Sequence, residues 1–416
     1  MNSITLTDII KAQKNFDGNV VKQTPLEHNH SLSKKFGANV YLKREDLQLV
    51  RSYKIRGSYN LISSLSQEEK DLGVVAASAG NHAQGVALCC KIFKIQGTIF
   101  MPQTTPSQKI RKTRAFGGAY VKIELVGDSF DETYQQAMKY CEENGNSFIH
   151  PFDDHKVIVG QGTVGLEIIN DFKSGEVDYL LVPIGGGGLS AGVGSIFKEL
   201  SPQTKIFGVE PENACGMKES ICASKVVTLN CANTIAEGTA VKTVGNNTYE
   251  ICKNVLDDML TVQDGHLATV MLNLLDDQGI ILEGAGALTI AALDSVKDQI
   301  QGKNVVCILS GGNFDFSKLP EIQDISLKYE GLKRYFIISF PQRPGALREF
   351  LDILGEGVDV VYFEYIKKSA KERGPALVGL EANEKYLFEN IISKMNENNI
   401  HFEDITYNQM YYDFLT

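Results

Sequence analysis

Residues Tyr179–Leu200 read YLLVPIGGGGLSAGVGSIFKEL. A short, wholly apolar run leads through four glycines into a segment with helical spacing. A run apolar on both faces is the pattern of a strand buried within a parallel sheet. Four consecutive glycines are costly in entropy and are kept where backbone must approach something closely. The N–H groups of Gly185, Gly186, Gly187, Gly188 and Leu189 fall at a helix start, where the dipole favours an anion such as a phosphate. A flexible turn is the bland alternative.

Three more segments repeat the strand–turn pattern. Val74–Gly85 is VVAASAGNHAQG, a buried strand ending near Ser78 with a helix from about Asn81. Ser78, Gly80 and Asn81 bring hydroxyl, amide and bare backbone to that helix start, which suits a carboxylate or phosphate or an ordinary N-cap. Val305–Asn313 is VVCILSGGN, with Ser310 at the carboxyl end of a strand. Tyr41–Asn60 is YLKREDLQLVRSYKIRGSYN, in which a strand and a polar loop precede a helix starting near Lys54. The helix dipole disfavours a cation there, so a neutral imine nitrogen fits better than an ammonium group. A surface lysine is the competing reading.

Further strands are expected at Asn39–Leu42, Thr98–Met101, Ala119–Ile123 and Lys205–Val209, and helices at Asn81–Phe93 and Gln108–Phe116. This alternation makes the fold class α/β, with parallel-rich sheets covered by helices and ligands bound beyond the carboxyl ends of strands. The pattern changes near residue 320. Leu319–Gly331 is polar and charged, and a boundary is expected at 325–332. Beyond it come a strand at Lys333–Phe340, a helix at Ala346–Leu354, strands at Asp359–Tyr365 and Ala376–Leu380, and a helix at Tyr386–Asn396. That order suits a small α+β ferredoxin-like module.

Composition excludes several functions. A net charge of −10 and the lack of a basic stripe disfavour a nucleic-acid partner. No apolar stretch is long enough to span a membrane. Met1–Lys14 reads as a short polar helix without the features of a signal peptide, so a cytoplasmic protein is expected. The eight cysteines show no paired zinc spacing, and buried free thiols are expected. Gly188–Gly192 matches G-x-S-x-G, which would make Ser190 a hydrolase nucleophile. Only His266 and His401 follow it, and no oxyanion motif precedes it. The settings needed for dinucleotide and P-loop motifs are absent.

In order and spacing, YLKREDLQ with SYKIRG, SAGNHAQG, GGGGL and SGGN resemble the threonine dehydratase family of pyridoxal-phosphate enzymes, related to the tryptophan synthase β chain. The resemblance spans nearly the whole chain. It implies a two-lobed catalytic domain over residues 1–325, with a smaller lobe of about residues 50–145 inserted in the larger. It also implies an ACT-like regulatory domain over 332–416, which begins KRYFIISFPQRPGAL. By the same resemblance Lys54 is the catalytic lysine that carries pyridoxal 5'-phosphate, and Tyr53 lies beside the ring. Asn81 contacts the ring hydroxyl, Gly185 to Leu189 bind the phosphate, and Ser310 meets the pyridine nitrogen. Ser78, Ala79, Gly80, Asn81 and His82 hold the substrate carboxylate. The implied reaction is dehydration and deamination of L-threonine, with L-serine as a possible second substrate, to 2-oxobutanoate and ammonia, the first step of isoleucine biosynthesis. Inhibition by isoleucine, opposition by valine and a homotetramer are implied as well.

Relatives in the same class differ at single positions. A serine racemase of this type carries a serine where this chain has Ala79, and a methyl group cannot move a proton. The cysteine synthases have a different carboxylate loop, T-S-G-N-T, and catabolic threonine dehydratases stop near residue 320. Gly284 stands where the family favours Pro, Glu237 where it favours Asp, and Phe314 where Asn is frequent. In the racemases a divalent cation is held by a Glu, a carbonyl and an Asp. Glu210 and Ala214 match the first two, but Gly216 offers no carboxylate, so a divalent site is disfavoured, a monovalent ion held by carbonyls stays open, and no specific metal is expected.

Overall fold

The computed structural model describes residues 4–365, 372–408 and 410. Contacts divide the chain into two units, Met1–Asp315 and Phe316–Thr416.

The first unit contains two sheets. The larger has strands Leu26–His28, Asn39–Arg44, Asn304–Leu309, Tyr179–Pro183, Lys205–Pro211 and Asp258–Val262, in that spatial order. All pairings are parallel except the first, between Leu26–His28 and Asn39–Arg44. Alternate residues of the central strands enter two different cores. Tyr179, Leu181, Val305, Cys307 and Leu309 pack with Leu267, Leu288 and Leu293 on one face. Leu180, Val182, Val306 and Ile308 pack with Ile9, Val164, Val193 and Phe197 on the other. Both faces are therefore dry, which is why these strands read as continuous apolar runs.

The smaller sheet has strands Val121–Leu125, Gly97–Met101, Val74–Ala77 and Ser147–Phe148, all parallel. Its strands all come from residues 74–148. The strand expected at Ala119–Ile123 begins two residues later. Gly118 has φ 57°, and Gly118–Tyr120 forms a 3-10 turn before the strand can start. The N-terminal helix is Leu6–Asn15, capped by Thr5; Met1–Ser3 of the expected helix lie outside the described residues. Five cysteines are buried, Cys215 is half-buried, and Cys222 and Cys231 are exposed, so the expectation of buried thiols fails at those last two.

The second unit follows the β-α-β-β-α-β order: strand Lys333–Pro341, helix Ala346–Leu354, strands Val358–Tyr365 and Arg373–Ala382, helix Tyr386–Glu397 and strand His401–Asp404. The antiparallel sheet places its fourth strand beside the first and the third beside the first on the other side. Phe336, Ile338, Val378 and Leu380 meet Phe350, Phe388 and Ile391 of the two helices. The boundary expected at 325–332 falls earlier, between Asp315 and Phe316, and the polar stretch Leu319–Gly331 contributes helix Leu319–Glu330 to this unit. Asp324 of that helix accepts from the Tyr335 hydroxyl at 3.0 Å and pairs with Lys333 and Lys328, each at 2.9 Å.

Candidate active site

Short cross-links bring all four glycine-and-lysine segments together at the carboxyl ends of the parallel strands. The Tyr53 N–H donates to Ser310 O at 3.1 Å, and the Gly312 N–H to Arg51 O at 2.8 Å. These bonds zip the approach to Lys54 onto the SGGN loop. Asn313 Nδ2 donates to Asn81 Oδ1 at 2.8 Å, tying that loop to SAGNH. Lys54 Nζ donates to Pro151 O at 2.9 Å, and the next residue, Phe152, packs against the glycine loop.

Lys54 is the first residue of helix Lys54–Ser63. Its amine is half-buried and closely walled. Burial pushes its pKa down to about 8, with the charge of Glu283 opposing that fall. The amine can thus shed its proton near neutrality, as a nucleophile or base must. The Tyr53 ring centroid lies 5.3 Å from Lys54 Nζ. Burial raises the pKa of the Tyr53 phenol.

Strand Tyr179–Pro183 ends in the glycine loop, and helix Gly188–Leu200 begins at its fourth glycine. Gly187 has φ 91°, a conformation that turns successive N–H groups toward one point. Among the described residues, the N–H groups of Gly185, Gly186, Gly187, Gly188 and Leu189 have no acceptor. Gly186 to Leu189 are buried. Leaving several buried donors without partners is unfavourable, so the loop fits a bound phosphate. Its glycines are also required by packing. A Cβ on Gly186 would lie 2.2 Å from the Phe152 ring, and one on Gly188 would lie 2.8 Å from Phe152 O.

Helix Asn81–Phe93 starts beside the SGGN loop, with Gly80 as N-cap. Ser78 Oγ accepts from the Gly80 N–H at 3.2 Å. The N–H groups of Ala79, Asn81 and His82 have no acceptor among the described residues, which leaves them for a carboxylate. The His82 ring turns inward, its Nε2 2.7 Å from Ile149 O, and burial pushes its pKa down to about 3. Only its backbone therefore faces a substrate. The Ala79 methyl packs against the small-lobe core. The buried Ser310 hydroxyl donates to Ala285 O at 3.1 Å, and by rotating about its Cβ–Oγ bond the same O–H can turn instead to a ring nitrogen.

Two other groups do not take part. Ser190 is buried and donates to Gly187 O at 3.0 Å. His266, which a hydrolase would need beside it, has its Nε2 3.1 Å from Ala291 O. Glu210 spends both carboxylate oxygens on helix N–H groups, those of Met217 at 2.8 Å and Lys218 at 3.0 Å. Among the described residues no group of three or more His, Cys, Asp or Glu could hold a metal ion.

Sequence reasoning missed Pro151, Phe152, Glu283 and Asn313. It also missed the charges beneath Lys54. Arg56 Nε donates to Glu45 Oε2 at 2.8 Å, and its Nη2 to Glu45 Oε1 at 2.7 Å. Arg56 also reaches both oxygens of Glu167, at 2.6 and 2.8 Å, and Lys43 Nζ donates to Glu167 at 2.7 Å. All four side chains are buried, and their charges balance. Burial opposes ionisation of Glu45, but the Arg56 guanidinium overrides it and holds the carboxyl below its ordinary range. The RED and KIR stretches of the motifs carried the only signal, one residue at a time.

Comparison with known proteins shows the family of the chain. Residues 19–311 match the family of pyridoxal-phosphate dependent enzymes, and residues 325–415 match the C-terminal regulatory domain of threonine dehydratase. The chain is 48% identical over 416 residues to the biosynthetic L-threonine dehydratase of Halalkalibacterium halodurans, covering 100% of both chains. It is 48% identical to the corresponding enzyme of Bacillus subtilis, covering 97% of this chain and 95% of that one. The structure of the processed form of threonine deaminase isoform 2 from Solanum lycopersicum superposes with a TM-score of 0.72 at 42% identity, covering 77% of this chain and 92% of that one.

Proposed function

We propose, since the chain belongs to the biosynthetic threonine dehydratases among the pyridoxal-phosphate-dependent enzymes, that it converts L-threonine to 2-oxobutanoate and ammonia. The observation that carries this reading is the meeting of one half-buried, readily deprotonated amine, Lys54 Nζ, with the acceptor-free N–H groups of the glycine loop. When bound, the cofactor supplies an electron sink for the bond-breaking steps at the substrate.

This chain's residues do the rest. The N–H groups of Gly185 to Leu189 hold the phosphate, and Ser310 offers a hydroxyl to the pyridine nitrogen. A hydroxyl does not enforce protonation of that nitrogen as a carboxylate would. Asn81 Nδ2 donates to the ring hydroxyl. The N–H groups of Ala79, Asn81 and His82 hold the substrate carboxylate. Lys54 Nζ then takes the proton from the substrate Cα, the β-hydroxyl leaves with one proton as water, and water hydrolyses the released enamine to 2-oxobutanoate and ammonia. With a methyl group at Ala79, the opposite face of Cα lacks the acid/base that racemisation needs. L-serine fits the same contacts as a second substrate.

The C-terminal domain supplies control: isoleucine inhibits and valine opposes it. An effector shifts activity only by binding two states unequally. The reading also includes a homotetramer working in the cytoplasm. No described helix is long and apolar enough to cross a membrane.

The test is one assay on purified protein. Visible absorbance of the lysine-bound cofactor is recorded, L-threonine is added, and 2-oxobutanoate is followed with and without isoleucine, for wild type and Lys54→Ala. Bound cofactor and product in the wild type, both lost in the variant, support the reading. Activity indifferent to isoleucine removes the effector assignment alone. Full activity in Lys54→Ala removes the whole reading.

A further inference from the structure

Glu283 has no part in the chemistry above, yet its carboxyl group faces the site. Its Oε1 accepts from Asn81 Nδ2 at 2.5 Å. Asn81 Oδ1 is already committed, since it accepts from Asn313 Nδ2, which also donates to Val50 O at 2.7 Å. The Glu283 N–H donates to Gly311 O at 3.3 Å. Two glycines keep the carboxyl in place. A Cβ on Gly311 would lie 2.4 Å from Oε1, and one on Gly238 would lie 3.5 Å away.

The consequence is an oriented amide. One hydrogen of Asn81 Nδ2 is used by Glu283, and Oδ1 is used by Asn313. Only the second Nδ2 hydrogen remains for a ligand. On the reading of this pocket as a pyridoxal phosphate site, that hydrogen meets the ring hydroxyl oxygen. We propose that Glu283 is the positioning residue for Asn81, and that the proton on its carboxyl sets whether the cofactor's ring oxygen can carry negative charge. A carboxylate linked through one amide opposes an anionic ring oxygen, and a neutral carboxylic acid permits it. The proton exchanges with solvent, and no other bond changes.

The charges facing Glu283 are known on each side: Lys54 and Tyr53 from the lysine helix, Lys109 and Lys112 from helix Ser107–Gly117, and Glu237 from the loop opposite. Burial, aided by Glu237, pushes its pKa up to about 7 against the Asn81 hydrogen bond and the two lysines. Two histidines near Lys54 do not compete in that range. Burial holds His82 at about 3 and His150 at about 4.

The experiment is a pH titration of the visible absorbance of the cofactor-loaded protein from about pH 6 to about pH 8.5. Wild type is expected to show one transition centred near 7. Glu283→Gln keeps an acceptor for Asn81 but cannot ionise, so it should retain cofactor affinity and give a flat titration. Glu283→Ala leaves Asn81 held by Asn313 alone and should weaken cofactor binding about tenfold, the effect of roughly one hydrogen bond. A transition in Glu283→Gln like that of wild type overturns the proposal, as does unchanged affinity in Glu283→Ala. If Glu283→Gln does not fold, infrared difference spectra of wild type across the same range decide. A protonated carboxyl signal lost on raising the pH supports the proposal, and its absence overturns it. If wild type takes up no cofactor, the reading of the pocket falls together with the inference. If it takes up cofactor and only the variants disagree, the inference alone falls.

Discussion

Replacing Arg56 by Met removes the centre of the buried charge cluster under Lys54 while keeping apolar volume. In wild type two cations, Lys43 and Arg56, face two anions, Glu45 and Glu167, and none is exposed. The variant buries two carboxylates with one lysine. It can keep the extra anion in a low-dielectric interior, which costs several kcal/mol, or take up a proton. Protonating a carboxyl of ordinary pKa ~4.3 at about pH 7 costs about 3.7 kcal/mol, at about 1.4 kcal/mol per pH unit. Protonation is the cheaper route. Adding about 1 kcal/mol for lost hydrogen bonding gives a destabilisation of about 4–5 kcal/mol, within the range for breaking a buried pair. At about pH 5 the proton costs only about 1 kcal/mol, so the loss shrinks to about 2 kcal/mol.

The sign follows from the two states of Glu45. In wild type its folded pKa is lowered, so its stabilisation is present above the unfolded value and is lost as pH falls through the folded one. In Arg56→Met the carboxyl that keeps its proton has a raised folded pKa, and its contribution is lost as pH rises. The chain has no Trp, so urea unfolding is followed by far-ultraviolet circular dichroism. Release of cofactor absorbance marks the transition of the catalytic unit, because a two-unit chain need not unfold in one step. A loss below about 1 kcal/mol at about pH 7, or an equal loss at both pH values, would refute the electrostatic account.

Other substitutions test other parts of the site. Gly186→Ala places a methyl against the Phe152 ring, so cofactor affinity should fall by about tenfold or more in an absorbance titration, with a far smaller change in the dichroism spectrum. In cofactor-free protein, Lys54→Met should be more stable than wild type at about pH 7, by up to about 3 kcal/mol less what water in the cleft screens. The folded pKa of Lys54 is depressed, so wild type loses stability as pH falls toward and through about 8, and the gain should shrink as pH rises from there toward 10.5. Unchanged urea midpoints would show that the amine is not strained. Ser190→Ala removes a hydroxyl that serves Gly187 O and lies 3.3 Å from Cys252 Sγ, so kcat should stay within about twofold and stability within about 1 kcal/mol. A large loss of kcat would revive a nucleophilic role for this serine.

The parts of the site that were legible in the sequence are those whose chemistry is local. Four glycines before a helix, or a lysine at a helix start, violate propensity within a few residues, and the violation can be seen without knowing what lies across the cleft. What was not legible is pairing over long separations. Asn81 meets Glu283 across 202 residues, and Arg56 meets Glu167 across 111. Neither partner stands out within its own segment. Leu319–Glu330 was misread for the same reason. It buries polar groups such as Asp324 and Ser326, so its composition gives the signature of a solvated boundary although its carboxylate is matched by Lys333, nine residues on. The edge strand Asp258–Val262 went unseen because only Val262 is buried, which leaves no apolar run. Apolar burial leaves a periodic trace in a sequence, whereas a buried charge is recognisable only once its partner is known. In this protein the carboxyl that meets Asn81 is of that kind: Glu283 lies 202 residues away, and nothing in its own segment points to the partner.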